Sequence, residues 1–266
     1  KLDDETTEEK LKKFRGKVPI VGRSYDPQSI KKLSAAYLNE NHDLSFSYRD
    51  SVVDGKNILF SHFTYDSYYV SMRPTKKTKD YVMLLGAKFV DGKPLKEGYD
   101  IFNDQEEIRN LYNERWEVAE NENVDIYGRG WPASMKNYFG SPYPFDKKYQ
   151  VTRKYKYSFC LENAGFPTFI TEKIMDAFYV DAIPIYCGAE NIKKHIPEGI
   201  YHYLPDFKSV EQCLEYIKNH PEDYLEKRAV LDKTKSEVFQ NFNTFNNIVV
   251  PLSDWLQKNV NSEMKI

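Results

Sequence analysis

The stretch Tyr155-Lys-Tyr-Ser-Phe-Cys-Leu-Glu-Asn163, followed by Phe169-Ile-Thr-Glu-Lys173 and Ala182-Ile-Pro-Ile-Tyr186, decides how this chain folds. An apolar run ends at Leu161, two hydrogen-bonding side chains follow at Glu162 and Asn163, and Thr171 stands where a helix cap belongs, ahead of Glu172 and Lys173. A strand leading through a loop into a capped helix is the βα unit of parallel α/β proteins, which hold phosphorylated ligands at that junction. The unpaired N–H groups and positive dipole end of the helix favour an anion there, and Lys173 adds a full charge. An ordinary βαβ unit with a Thr cap and a solvated Glu–Lys pair has the same spacing, and spacing alone does not separate the two.

Outward from this unit, residues 124–127, 183–186 and 201–204 read as strands and 171–180 as a helix. Ser209 with Gln212 opens a further helix, whose Val210, Cys213, Leu214 and Ile217 fall at helical spacing. Upstream, 81–89 reads as a strand, and Asp104 with Glu107 makes a capping-box start to a helix reaching about Glu120. Short extended segments are expected at 18–22, 44–48 and 58–63, with a helix at 28–39 and a charged surface helix or frayed leader over 2–14. From Pro221 the chain is helical in pieces, and Leu252, Trp255 and Leu256 form an apolar stripe. Strands alternating with helices predict an α/β fold with a parallel sheet covered on both faces.

Composition narrows the function classes. A length of 266 residues suffices for one large or two small domains. A net charge of −2 with no dominant Lys/Arg block gives a nucleic-acid or membrane-surface role little electrostatic support. No apolar run approaches the roughly 18 residues that span a bilayer, and no signal-peptide pattern is present. The sequence starts at Lys1 without Met, so an upstream anchor would lie outside it. Cys160, Cys187 and Cys213 sit inside apolar patterns, with no C-x-x-C. They read as small buried hydrophobes, which predicts a reducing, cytoplasmic setting, with peripheral membrane association left open. The five histidines show no metal-ligand spacing.

The opening stretch resembles the donor-binding signature of the α1,3/4-fucosyltransferases, glycosyltransferase family 10. The family pattern runs roughly Tyr-Lys-Phe-x-x-x-Phe-Glu-Asn, a short loop, Tyr-x-Thr-Glu-Lys, a helix, then Val/Ile-Pro-Ile and Gly. This chain supplies Tyr155, Lys156, Tyr157, Glu162, Asn163, Thr171, Glu172, Lys173, Ile183, Pro184, Ile185 and Gly188 in register. His195-Ile-Pro197 and Pro205-Asp206-Phe207 continue the similarity. The resemblance implies a GT-B-like α/β fold of two facing Rossmann-like halves, the first shortened. Its division would be an acceptor-side domain over 1–120, a donor-binding domain over 121–250 and a C-terminal helix over 251–266 packing back toward the first. It implies an inverting transferase moving L-fucose from GDP-fucose, a substrate rather than a cofactor, to a glycan hydroxyl. A transferase using another nucleotide sugar, such as a UDP-pentose, and a non-catalytic glycan- or nucleotide-binding module are the alternatives. One departure bears on the donor: Phe169 stands where the family has Tyr.

By the same resemblance, Arg23-Ser-Tyr-Asp-Pro-Gln-Ser29 matches the segment that carries the family's general base, which makes Asp26 the catalytic candidate, with Asp in place of Glu. A base must lie within about 2.6–3.2 Å of the acceptor hydroxyl or one water away. The alternative is a plain Asp-Pro turn. Leu44–Ser51 resembles a following acceptor-side segment and offers Tyr48 and Arg49. Tyr127-Gly-Arg-Gly130 resembles the family's Gly-Arg turn, where Arg129 would grip a diphosphate; a Gly-rich turn with a solvated Arg is the other reading. Lys147, Lys148, Arg153 and Lys154 read as a solvated face. No Asp-x-Asp occurs, so no metal is expected and the leaving diphosphate falls to fixed cations and a helix end. The donor-binding candidates are therefore Lys173, Arg129 and Thr171 on the diphosphate, Glu172 and Asn163 on ribose or sugar hydroxyls, and Glu162 orienting the loop.

Overall fold

The computed structural model describes residues 21–23, 44–47, 58–60, 75–87, 89–90, 93–94, 109–142, 146–165, 167–243 and 245–259. The chain divides into two compact units, residues 1–62 and 63–266. In the first, β1 (Val21–Arg23), β2 (Leu44–Ser47) and β3 (Ile58–Phe60) form a parallel sheet in that order, with Leu44 fully buried. Asp26, Tyr48 and Arg49 lie outside the described residues.

The second unit is built on a five-stranded, wholly parallel sheet in the order β12-β11-β9-β4-β8. Its strands are β4 (Lys79–Leu84), β8 (Val124–Tyr127), β9 (Tyr155–Leu161), β11 (Ile183–Cys187) and β12 (His202–Tyr203). Every residue of β11 is buried, as are five consecutive residues of β9 from Tyr157. Near-continuous apolar runs of this kind belong to strands covered on both faces. The helices are α1 (Tyr112–Glu120), α2 (Asp146–Thr152), α3 (Glu172–Tyr179), α4 (Val210–Asn219), α5 (Asp223–Asn241) and α6 (Val250–Asn259). α3 buries Ile174, Met175, Ala177 and Phe178. Ser209 caps α4 by accepting from the Gln212 N–H at 3.1 Å, and Val210, Cys213, Leu214 and Ile217 form its buried face, as their spacing predicts.

Three expectations change. The division at 120/121 moves upstream, because β4 pairs on one side with β8 and on the other with β9 and so lies inside the second unit's sheet. Asp104 and Glu107, the expected start of a helix reaching about Glu120, lie outside the described residues, and α1 opens at Tyr112. Arg109–Asn110 is instead extended (β7) and pairs antiparallel with Ala164–Gly165 (β10), a partner distant in sequence. The strand expected over 81–89 ends at Leu84, and Phe89–Val90 (β5) pairs with Lys93–Pro94 (β6) in a separate ribbon. α6 forms, with no fully buried residue.

Candidate active site

From β4 the chain crosses to β8 on one side, then returns to β9 on the other, so the carboxyl ends of β4 and β9 flank the point where strand order reverses. Open parallel sheets bind ligands at that crevice. Glu162 and Asn163 follow β9 directly, and the first turn of α3 adjoins them.

Glu162 has no exposed surface. Its Oε1 accepts from the Thr171 N–H at 2.8 Å, and its Oε2 accepts from the Thr171 hydroxyl at 2.7 Å and Lys173 Nζ at 3.0 Å. Thr171, extended at φ −109° and ψ −172°, caps α3 through a 3.5 Å bond from the Lys173 N–H. Lys173 Nζ also donates to Thr171 Oγ1 at 2.9 Å and to Glu172 Oε1 at 3.4 Å. The Lys173 side chain is 12% exposed and that of Glu172 49%. Burial pulls the Lys173 ammonium down, but Glu162 and Glu172 outweigh it and hold the group above its ordinary value. For Glu172, burial pushes up, while Lys173 and Lys148 prevail and keep the carboxylate below the usual range. Gly188 fits this cluster by close approach: a Cβ there would stand 2.3 Å from the Tyr186 hydroxyl and 2.7 Å from Glu162 Cγ.

On the β4 side, Gly128 has φ +132°, and a Cβ at that position would lie 2.2 Å from the Leu85 carbonyl oxygen. Glycine alone allows the turn after β8 to close onto the end of β4. The Ala87 N–H donates to the Arg129 carbonyl at 2.9 Å and Trp131 Nε1 to the Leu85 carbonyl at 2.7 Å. Arg129 is thus placed beside the carboxyl end of β4 with an exposed side chain.

A cavity of about 160 Å³ opens between these parts, lined in part by Gly86, Lys148, Cys160, Glu172, Lys173 and Asp176. Sites that bury a whole drug-sized ligand run to roughly 300–1,000 Å³, so this one matches a fragment of a nucleotide sugar. A larger cavity, about 870 Å³, is lined by Lys79, Asp125, Tyr155 and Tyr224 among others. It lies at the amino ends of β4, β8 and β9, on the wrong side of the sheet for the chemistry described above.

The basic face expected at 147–154 is not uniformly solvated. Lys148 is largely buried, pairs with Asp176 on α3, and is pushed down to about 8 by burial, against the pull of Glu172. The Tyr149 hydroxyl donates to the other Asp176 oxygen at 2.8 Å. Arg115 on α1 also escaped the sequence reading, although it donates to Asn163 Oδ1 at 2.6 Å. A lone carboxylate at 176 within the run Ile174–Phe178 is the one signal that pointed to a buried partner; nothing in the sequence around Arg115 does so. Phe169 is 1% exposed, so its ring is packed away rather than turned to a ligand. No group of three or more metal-ligating side chains occurs among the described residues, and no described helix is long and apolar enough to cross a membrane.

The geometry can be set beside known proteins. An α-(1,3)-fucosyltransferase of Helicobacter pylori is 31% identical over 142 residues, which is 51% of this chain and 28% of that protein's length. The chain therefore spans well under two thirds of that relative. Among solved structures, an α1,3-fucosyltransferase superposes with a TM-score of 0.51 at 17% identity, covering 78% of this chain and 68% of the other. HepE of Anabaena, solved with UDP and glucose, gives 0.55 at 11% identity, covering 89% and 71%. At such identities the likeness is one of fold, and it bears out the GT-B-like α/β class. Residues 103–235, half of the chain, match the description "Glycosyltransferase family 10 (fucosyltransferase) C-term", a span that holds α1, β8, β9, the Glu162–Thr171–Lys173 cluster and α3. The chain belongs to glycosyltransferase family 10.

Proposed function

We propose that the chain is an inverting fucosyltransferase that moves L-fucose from GDP-fucose to a hydroxyl of a glycan acceptor without a metal ion. The observation that carries the reading is the Glu162–Thr171–Lys173 cluster at the first turn of α3, at the reversal point of the sheet, in a chain of this family. The acceptor oxygen attacks the anomeric carbon from the face opposite the nucleotide. The bond from that carbon to the diphosphate oxygen breaks, and a carboxylate, assigned to Asp26, takes the acceptor's proton. GDP then leaves with the electron pair, its charge met by Lys173, Arg129 and the N-terminal end of α3. Lys173 has three protein partners; the longest bond, 3.4 Å to the half-exposed Glu172, is the one a phosphate oxygen replaces. The released Glu172 carboxylate is then available to ribose or sugar hydroxyls. Phe169 is buried, so its departure from the family's Tyr gives no ground for preferring a donor other than GDP-fucose.

The test is calorimetry with GDP, UDP, GDP-fucose and UDP-sugars, followed by GDP release with and without glycan acceptors. GDP and GDP-fucose are expected to bind and GDP-fucose to turn over. Preference for UDP would move the chain to another donor, and binding without turnover on any acceptor would make it a non-catalytic module.

A further inference from the structure

Among the described residues, Arg115 is a buried cation to which the mechanism gives no task. Arg115 on α1 is 3% exposed, and Coulombic support from carboxylates reaches it only at a distance, from Glu162 and Glu172. Its Nη2 donates to the Leu161 carbonyl at 3.0 Å and to Asn163 Oδ1 at 2.6 Å, and Nη1 reaches the Gly86 carbonyl at 3.4 Å. The guanidinium lies 4.9 Å from the centre of the Tyr112 ring, and its Nε has no partner. These contacts span the carboxyl ends of β4 and β9, the two walls of the crevice. A guanidinium has only donors to offer, so the amide atom of Asn163 that faces it must be the oxygen. The amide nitrogen therefore faces the other way, and among the described residues no partner takes it up.

We propose that Arg115 is a positioning residue for the nucleotide-sugar donor: by holding Oδ1 of Asn163 it makes that amide a pure hydrogen-bond donor, whose Nδ2 takes an oxygen of the diphosphate. Phosphate oxygens only accept, and the neighbouring groups assigned to the diphosphate, Lys173, Arg129 and the α3 N–H groups, only donate. A fixed NH2 completes a set of one polarity, whereas a freely turning amide would present its oxygen to the phosphate in half its orientations. This inference rests on the donor reading given above. It differs from a purely architectural role, in which Arg115 ties β4 to β9 and Asn163 is incidental.

The experiment measures GDP affinity by calorimetry, donor KM against kcat, and melting temperature for the wild type, Asn163→Asp, Asn163→Ala, Arg115→Lys and the double variant Arg115→Lys/Asn163→Ala. Asn163→Asp keeps an oxygen for Arg115 but turns a second, negative oxygen to the phosphate. It is expected to weaken GDP at least about tenfold and raise donor KM more than it lowers kcat, with melting hardly changed. Guanosine, which lacks phosphate, should bind wild type and Asn163→Asp alike. Arg115→Lys should weaken GDP several-fold when Asn163 is present and add nothing in the Asn163→Ala background. GDP binding by Asn163→Asp within about twofold of wild type overturns the inference, as does an equal Arg115→Lys penalty in both backgrounds. If Arg115→Lys does not fold, Asn163→Asp decides alone. A wild-type protein that ignores GDP removes the donor reading and this inference together, an outcome distinct from variants that bind GDP as the wild type does.

Discussion

Glu162 is fully buried, and Thr171 and Lys173 bring three donors to its two oxygens. Removing one partner of such a pair costs about 3–5 kcal/mol, since the other is left charged and dry. Lys173→Ala is therefore expected to lower stability along with nucleotide affinity, and a urea midpoint equal to wild type would place Lys173 outside the buried network. Glu162→Gln keeps the shape and should cost about 1–3 kcal/mol in the same measurement. For Asp26 the expectation concerns rate alone: Asp26→Asn should cut turnover on the order of 10²–10⁴ with donor affinity retained, and Asp26→Glu should keep activity. A rate within a few-fold of wild type for Asn would shift the search for the base to Asp43 or Asp50. Glu162, Thr171 and Lys173 could be read as a group because they sit close together on either side of one loop. Arg115 and Lys148 could not, because their partners Asn163 and Asp176 lie 48 and 28 residues away.

Among the elements, β9 and β11 were legible because a strand buried on both faces writes itself as an apolar run, β8 because buried Val124 and Ile126 alternate with Asp125 and Tyr127, and α3 and α4 because Thr171 and Ser209 mark their starts with caps. The helix expected to run through residues 109–110 gives way there for a physical reason. Asp104 and Glu107 carry a local helix signal, but residues 109–110 answer to a strand partner at 164–165 that no local pattern announces. The turn after β8 makes a sharper demand on sequence. At Gly128 any side chain meets both a positive φ and the Leu85 carbonyl. Gly128→Ala is expected to destabilise by about 2 kcal/mol or more, through a backbone that L-residues avoid and a contact that only displacement of β4 relieves. An unchanged urea midpoint would mean that the β4 and β8 ends separate freely. Displacement there would also shift Arg129, so nucleotide affinity should fall with stability.

Across the whole molecule, Lys77 joins the ends of two helices: its Nζ donates to the Arg153 carbonyl past α2 at 3.0 Å and to the Val180 carbonyl past α3 at 2.6 Å. Burial pushes this amine down to about 7, against the pull of Asp181, from an ordinary value of 10.5. Between those values the unfolded chain binds the extra proton, so this group makes the protein more stable as pH rises through the window. Urea midpoints at about pH 7 and about pH 9.5 should show that gain in the wild type and a smaller one in Lys77→Met; equal gains would remove Lys77 as the cause. Activity should survive EDTA, and complete loss restored by Mn²⁺ or Mg²⁺ would overturn the cation-only account of leaving-group stabilisation. The position of β4 between two strands that follow it in the chain also bears on how the chain is made. Lys79 on this strand meets Asp125 of β8 across 46 residues, and Asp80 beside it meets Lys156 of β9 across 76. At the roughly 5–20 residues per second of synthesis, β4 emerges several seconds before either neighbour exists, with both edges open to wrong pairing. Lys79 and Asp80 at its amino end, both exposed in the finished fold, put charge on the open strand, and edge charge of this kind disfavours wrong pairing until β8 and β9 arrive.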